Sequence, residues 1–535
     1  MNKIDNLKKK EIYISYIFFS IFFIICWSQI KDFGVSLDDE IYYLSGVKTY
    51  DYVKNFFLSF LNNDIVLSEY RNQLEKWPII FELLVIFICD LLDVNNIEKI
   101  YLISHQVNFV IFFISLLFFQ SLIYKRFKTS YISIVSVIFF IISPRLLGES
   151  FYNSRDIFFM SLFIFFAYSS YNFLENKNYL NAVKLSILSA LLINTKILGI
   201  IPIGIFCILY IYNFLNTKEK LLKAKYIIIL FTFTTLISIY LFWPYLWNNP
   251  FKNLYIAFRD ILELHENLIV INYYFGDYMQ SNLTPWHYRI VWFLITTPLI
   301  IIFLFFFGIT YVGSQLIQII KRTLDKKYNI HNDQFCDLLL LLIFFISFFI
   351  VIEFNNSKFG GWRHLYYLYP IVVYFCMHAL QYILNNKINY IYKLLLILLI
   401  SMTSIYNLYW SYKNHPHQYI YFNKLNTKYF MKNFDLDWWG ITHKNSIEYI
   451  LKNDNNNKIN ISTKGFTSLR NSFLFLNEKD KSRVIITNIN NADYIIDNKM
   501  KRLRNYEEID KKKFLIYYII KVNDHPIAEV YKRIN

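Results

Sequence analysis

Three acids stand side by side in Ser36-Leu37-Asp38-Asp39-Glu40-Ile41-Tyr42-Tyr43, shortly after the first long apolar block. Carboxylates this close raise one another's proton affinity, so the group suits a general base, and it also suits a divalent cation. A solvated acidic loop has the same composition. Another acid, Asp156, follows Arg155 at the head of a later apolar block, where a helix cap would also put it. Isolated cations recur between blocks: Lys76 before Trp77 and Pro78, Lys196 before Ile197-Leu198-Gly199, and Arg363 with His364 after Gly360-Gly361-Trp362. Fixed cations at a membrane surface suit a lipid phosphate or pyrophosphate. Taken singly, each is equally a long side chain reaching from apolar surface to water.

Such groups need a frame, and composition names its solvent. Of 535 residues, 56% are hydrophobic and 20% aromatic, against about 45–50% apolar residues in ordinary soluble domains. The excess lies over residues 1–410, and the remainder is mixed polar and apolar sequence. This predicts an α-helical polytopic membrane domain over 1–410 and a small extracytoplasmic α/β domain over 411–535. A spanning helix needs about 17–25 mostly apolar residues, since its backbone must satisfy its own hydrogen bonds in hydrocarbon. Candidate spans are residues 12–30, 101–124, 130–143, 156–174, 181–194, 198–215, 226–243, 289–319, 336–353, 366–384 and 391–410, about eleven in all. The first lacks a small-residue cleavage site and reads as a span rather than a secretion signal.

Residues 78–92 are left out, because that block is short and carries Glu82 and Asp90. Placed along the membrane surface as a juxtamembrane helix, it lets the basic runs at 8–10, 125–128, 218–225 and 321–327 all face the cytoplasm, as short cytoplasmic loops require. The N-terminus is then inside, the C-terminal domain outside, and every acid and cation singled out above falls in or beside an outer loop. The formal charge of +16 is explained by orientation, without a nucleic-acid partner. The tail predicts a helix near 444–453, strands near 458–462, 483–487 and 494–497, and a hairpin of 514–522 with 527–531 around Asn523-Asp524-His525-Pro526. The cysteines Cys26, Cys89, Cys207, Cys336 and Cys376 lie apart, in or beside apolar blocks, and read as packing residues.

In combination these motifs resemble the polyprenyl-phosphate-sugar-dependent glycosyltransferases of family 39, a GT-C group with the protein O-mannosyltransferases and, among its relatives, the lipid A aminoarabinose transferases. Asp39-Glu40-Ile41-Tyr42-Tyr43 is similar to the family's Asp-Glu-x-x-aromatic signature. Lys76-Trp77-Pro78 is similar to its Lys-Pro-Pro element, departing at the middle residue. Asp156 matches the acid opening the fourth span, with Phe158 where many relatives have proline. Thr195-Lys196-Ile197-Leu198-Gly199 resembles the Thr-Lys-x-x-Gly turn, and the Arg363 segment the late Arg-Tyr-Leu-x-x-Pro element. The stretches His415 to Asn423 and Asp435-Leu436-Asp437-Trp438-Trp439-Gly440 resemble sequences after the last span of bacterial members.

The resemblance implies an enzyme of the plasma (inner) membrane that moves a sugar from a polyprenyl phosphate to a protein or glycolipid acceptor outside the cytoplasm. It implies an inverting displacement with Asp39 as base, Glu40 and Asp156 orienting acceptor or base, and Lys76, Arg363, His364, Lys196 and Arg155 around the lipid phosphate. It leaves open whether a divalent cation takes part. The rival reading is a transporter or flippase of lipid-linked sugars, which would place ionisable groups near the bilayer midplane and show inverted repeats. Neither feature is found in the sequence.

Overall fold

The computed structural model describes residues 2–62, 74–216, 221–325, 330–353, 357–465, 467–500 and 509–534. Parts of the basic runs at 218–225 and 321–327 lie outside these residues. Each apolar block predicted to span is helical. Among the described residues eight helices are long and apolar enough to cross a membrane, starting at Ile97, Ser154, Ile197, Lys225, Leu299, Asn332, Arg363 and Tyr390. Two predicted spans, Ser130–Ile141 and Tyr179–Ile193, are shorter, and the first block lies in the helix Asn2–Gln29. The block at 289–319 is broken into Tyr288–Thr296 and Leu299–Asp325, because Pro298 has no N–H to continue the ladder. The break frees carbonyls, and Asn423 answers them: its side-chain amide donates to Leu294 O at 2.6 Å and Thr297 O at 2.9 Å, and its backbone N–H to Ile295 O at 2.8 Å.

The segment between the first two predicted spans differs from expectation by holding a second helix. Asp39–Asn62 precedes the predicted surface helix Ile80–Leu91. Asp39 and Glu40 fall in its first turn, where acids favour a helix start through the dipole. The two helices touch at Gly46, where a Cβ would come within 2.9 Å of the Glu82 Cβ. Only glycine permits that approach.

The 22-residue helix Ser154–Glu175, about 33 Å long, separates two polar ends of the bundle. At its far end Glu175 pairs with Lys125, and Tyr171 donates to Asp333 at 2.6 Å. Nearby the Arg126 guanidinium donates to Asp337 at 3.0 and 2.6 Å, and Tyr374 and His378 fill the same carboxylate. Ionisable groups in an apolar bundle are tolerated when they satisfy one another in this way.

The tail forms a five-stranded mixed sheet: β3 (Ile459–Thr463), β4 (Val484–Ile486), β5 (Tyr494–Asp497), β6 (Phe514–Val522) and β7 (His525–Arg533), in the order β4-β3-β5-β7-β6. The β6–β7 turn is tighter than predicted. Asn523 and Asp524 alone make it, both at positive φ, as Asn and Asp tolerate in hairpin turns. An unforeseen hairpin, β1 (Ile271–Tyr274) with β2 (Asp277–Gln280), occupies the connection between the helices Pro250–Asn267 and Tyr288–Thr296. The five cysteines are free, and all but the half-buried Cys207 are buried.

Candidate active site

At the near end of Ser154–Glu175 an open cavity of about 380 Å³ is lined by Asp38, Asp39, Tyr42, Arg155, Asp156, Lys196, Arg363, His364 and Trp439 among others. Asp156 sits at its base, its side chain only 3% exposed. Asp156 is not the helix cap that its position at the head of an apolar block also allowed. Asn153 is the cap, accepting from the Asp156 N–H at 3.2 Å, and it also donates to the Asp156 carboxylate at 2.9 Å. The carboxylate itself pairs with Lys196 Nζ and lies 3.7 Å from Arg363 Nη1.

Arg363 is held on several sides. Its Nη1 reaches Asp38 at 3.1 Å, and its guanidinium lies over the Trp439 ring at 4.5 Å. Gly360, at φ +67°, makes room for it, since a Cβ there would stand 2.7 Å from Arg363 Nε. Arg155 binds three segments together: it donates to Pro78 O at 3.1 Å and Thr195 O at 3.2 Å while stacking on Tyr42 at 4.5 Å. Burial pulls the Lys196 ammonium below the usual lysine range, with Asp156 opposing that shift.

Asp39 occupies another wall. Burial pushes its carboxyl up to about 7, against the Ser36 N–H that donates to it at 2.7 Å. A carboxylate poised near neutral pH both takes and gives up a proton readily.

The sequence-derived set divides here. Asp39, Asp156, Arg155, Lys196, Arg363 and His364 share the cavity, whereas Glu40 and Lys76 do not line it. Glu40 turns away to accept from Arg470 Nε at 2.7 Å, fastening the tail to the acidic segment, and Lys76 pairs with Asp260. Trp77 and Pro78 reach the wall in place of Lys76. Sequence reading missed Asp38 as a site residue. Three adjacent acids carry no sign of which faces inward until the helix start at Asp39 fixes their directions. Trp439 was marked by its motif but not assigned to the site. Its segment is anchored where Leu37 N–H donates to Trp439 O at 3.1 Å and Asn471 donates to Ser36 O at 2.8 Å.

Among the described residues no three His, Cys, Asp or Glu side chains converge as a metal site would need. Asp38 and Asp156 are turned to Arg363, and Glu40 to Arg470.

No protein-family profile and no curated protein matches the chain. Among solved structures it is similar to ArnT from Cupriavidus metallidurans in the apo state, at 9% identity over 96% of this chain and 97% of that one, TM-score 0.49. The same protein bound to undecaprenyl phosphate gives 9% identity, the same coverage and TM-score 0.44. It is also similar to the Archaeoglobus fulgidus oligosaccharyltransferase in complex with Zn and sulfate, at 13% identity over 79% of this chain, TM-score 0.43. The chain spans 60% of the length of that oligosaccharyltransferase. The likeness concerns the course of the chain.

Proposed function

We propose that this protein is an integral-membrane glycosyltransferase that moves a sugar from a polyprenyl phosphate to an acceptor hydroxyl or amine on the extracytoplasmic face. One observation carries the reading: a base-competent carboxylate and a pair of mostly enclosed cations, Lys196 and Arg363, face a single cavity, beside the apolar side chains Ile41, Trp77, Pro78, Ile197, Leu198 and Leu268. A phosphate anchored by a lipid tail needs that combination. Lys196 and Arg363 receive the phosphate and stabilise the charge it gains as the bond to the sugar carbon breaks. Asp39 takes the acceptor proton as the new bond forms. Asp156 and Asp38 hold the two cations in place before the donor arrives, and Arg155 fixes the wall. The transporter reading lacks support in this geometry, since the cavity lies at one end of the bundle rather than midway along it.

The donor contact is tested by steady-state kinetics with a defined polyprenyl-phosphate sugar. Arg363→Ala is expected to raise the donor concentration for half-maximal rate, or to lower the rate, by roughly 10–150-fold, as a charge-assisted contact of about 1.5–3 kcal/mol implies. Lys76→Ala, at a residue seated on Asp260 outside the cavity, should change it much less. Equal and small effects in both variants would sink the donor assignment.

Orientation is tested independently. The positive-inside rule puts the Lys125 end of the bundle in the cytoplasm and the cavity outside. A reporter active only outside the cytoplasm should be active when fused after Trp410 and silent when fused after Lys327; the reverse pattern overturns the orientation.

A further inference from the structure

Asp39, Tyr42 and Ser154 belong to two cavities at once. Besides the large one they line a small pocket of about 20 Å³ together with Tyr43, Glu82, Tyr101 and Ser104. That pocket has room for one water molecule, and it lies on the other side of the wall that Asp39 forms. Glu82 is 6% exposed, and its Oε1 has no hydrogen-bond partner; Tyr101 is 3% exposed, and its hydroxyl has none either. No ion pair engages Glu82 among the described residues, and Arg155 acts on it only at a distance. A buried, incompletely satisfied carboxyl is costly and needs an explanation.

We infer that Glu82 is the proton partner of Asp39, receiving through the small pocket the proton that Asp39 takes from the acceptor. This rests on the proposed transferase reading. In the transfer step the acceptor oxygen or nitrogen bonds to the sugar carbon, the bond from that carbon to the phosphate oxygen breaks with its electron pair leaving on the phosphate, and the acceptor proton goes to Asp39. In the following step protonated Asp39 and anionic Glu82 become anionic Asp39 and protonated Glu82, and Glu82 then releases the proton to water. Asp39 is thereby reset without returning the proton to the cavity that holds product. Glu82 touches no substrate, and it is a positioning residue that acts through Asp39.

The groups facing this pair are Asp38, Tyr42 and Tyr43 from the acidic segment and its helix, Tyr101 from Ile97–Phe127, and Arg155 and, across the cavity, Arg363. None of them takes the place of Glu82, because Asp38 is turned to Arg363 at 3.1 Å, the tyrosines are neutral at working pH and the arginines keep their charge. Removing Glu82 therefore removes a neighbouring carboxyl that raises the proton affinity of Asp39.

The test is the pH profile of kcat/KM for the full-length protein in proteoliposomes with a defined polyprenyl-phosphate sugar. In wild type the rate should rise with pH through about 7. In Glu82→Gln the midpoint should fall, since Glu82 is among the groups that hold it up, and the plateau rate should drop by about tenfold, while Glu82→Asp restores part of both. A structural role would lower the rate without moving the midpoint. Ser104→Val keeps Glu82 but fills the pocket with methyl groups, and it should lower the plateau severalfold; it serves where Glu82→Gln does not accumulate. An unchanged profile in either variant overturns the inference, as does a rate loss with a fixed midpoint in Glu82→Gln. If wild type moves no sugar, the transferase reading itself fails. If wild type is active and Asp39→Asn is not, an unaltered Glu82→Gln removes this inference alone.

Discussion

Asp39→Asn is expected to slow sugar transfer by about 10²–10⁴-fold, the usual contribution of a general base. The amide keeps the volume of the carboxylate, and its oxygen can still accept from the Ser36 N–H that now lies at 2.7 Å. What it loses is the ability to take a proton. The burial that raises Asp39 to about 7 also fixes the sign of the pH dependence. Activity requires the anion, so it is lost as pH falls through about 7 and is full above it. Single-turnover rates measured with donor in excess, on protein that elutes as wild type from a sizing column, check both statements. Wild-type turnover by Asp39→Asn would move the base elsewhere, with Asp38 the nearest alternative on the cavity wall.

Asp156→Asn should act on both stability and rate. The carboxylate pairs with Lys196 and lies 3.7 Å from Arg363, with side-chain exposures of only 3%, 16% and 11% respectively. Taking away one member of a buried ion group leaves the others uncompensated, which costs about 3–5 kcal/mol. Lysine can shed its proton in response, whereas arginine cannot, so Lys196 would neutralise first and the phosphate would then meet one cation instead of two. The expected outcome is a lower unfolding temperature in detergent together with weaker donor use. Adding Lys196→Met to Asp156→Asn removes the stranded cation and should recover part of the stability but none of the donor binding, a non-additive result that neighbours in one network give. Strict additivity of the two stability losses would show that Lys196 and Asp156 do not act as a unit.

The membrane body was legible in the sequence because the bilayer imposes a length and a composition on every helix that crosses it. That is why the apolar blocks correspond to helices of the structure, and residues 78–92, left out of the spanning set, to the short helix Ile80–Leu91; the tail strands 494–497 and 514–522 were legible instead as β-rich runs between turn residues. The same reasoning could not foresee the helix Asp39–Asn62, whose sequence is neither apolar enough to span nor polar enough to read as a loop. The break at Pro298 was visible as a proline, but its repair by Asn423 joins residues far apart in the chain and depends on the packed fold.

At the site, residue type and order determined which groups were candidates, since bases and phosphate-binding cations come from a short set of side chains. Tertiary structure decided among them. Asp39 and Glu40 are neighbours in sequence, yet successive residues of a helix point about 100° apart, and so one faces the cavity while the other meets Arg470. Lys76 and Lys196 look alike as cations beside apolar runs, and only the fold gives one Asp260 at the periphery and the other Asp156 at the base of the cavity. Composition fixes the solvent and chain order the inventory, but direction and burial, which set charge state and reach, arise only when the helices pack.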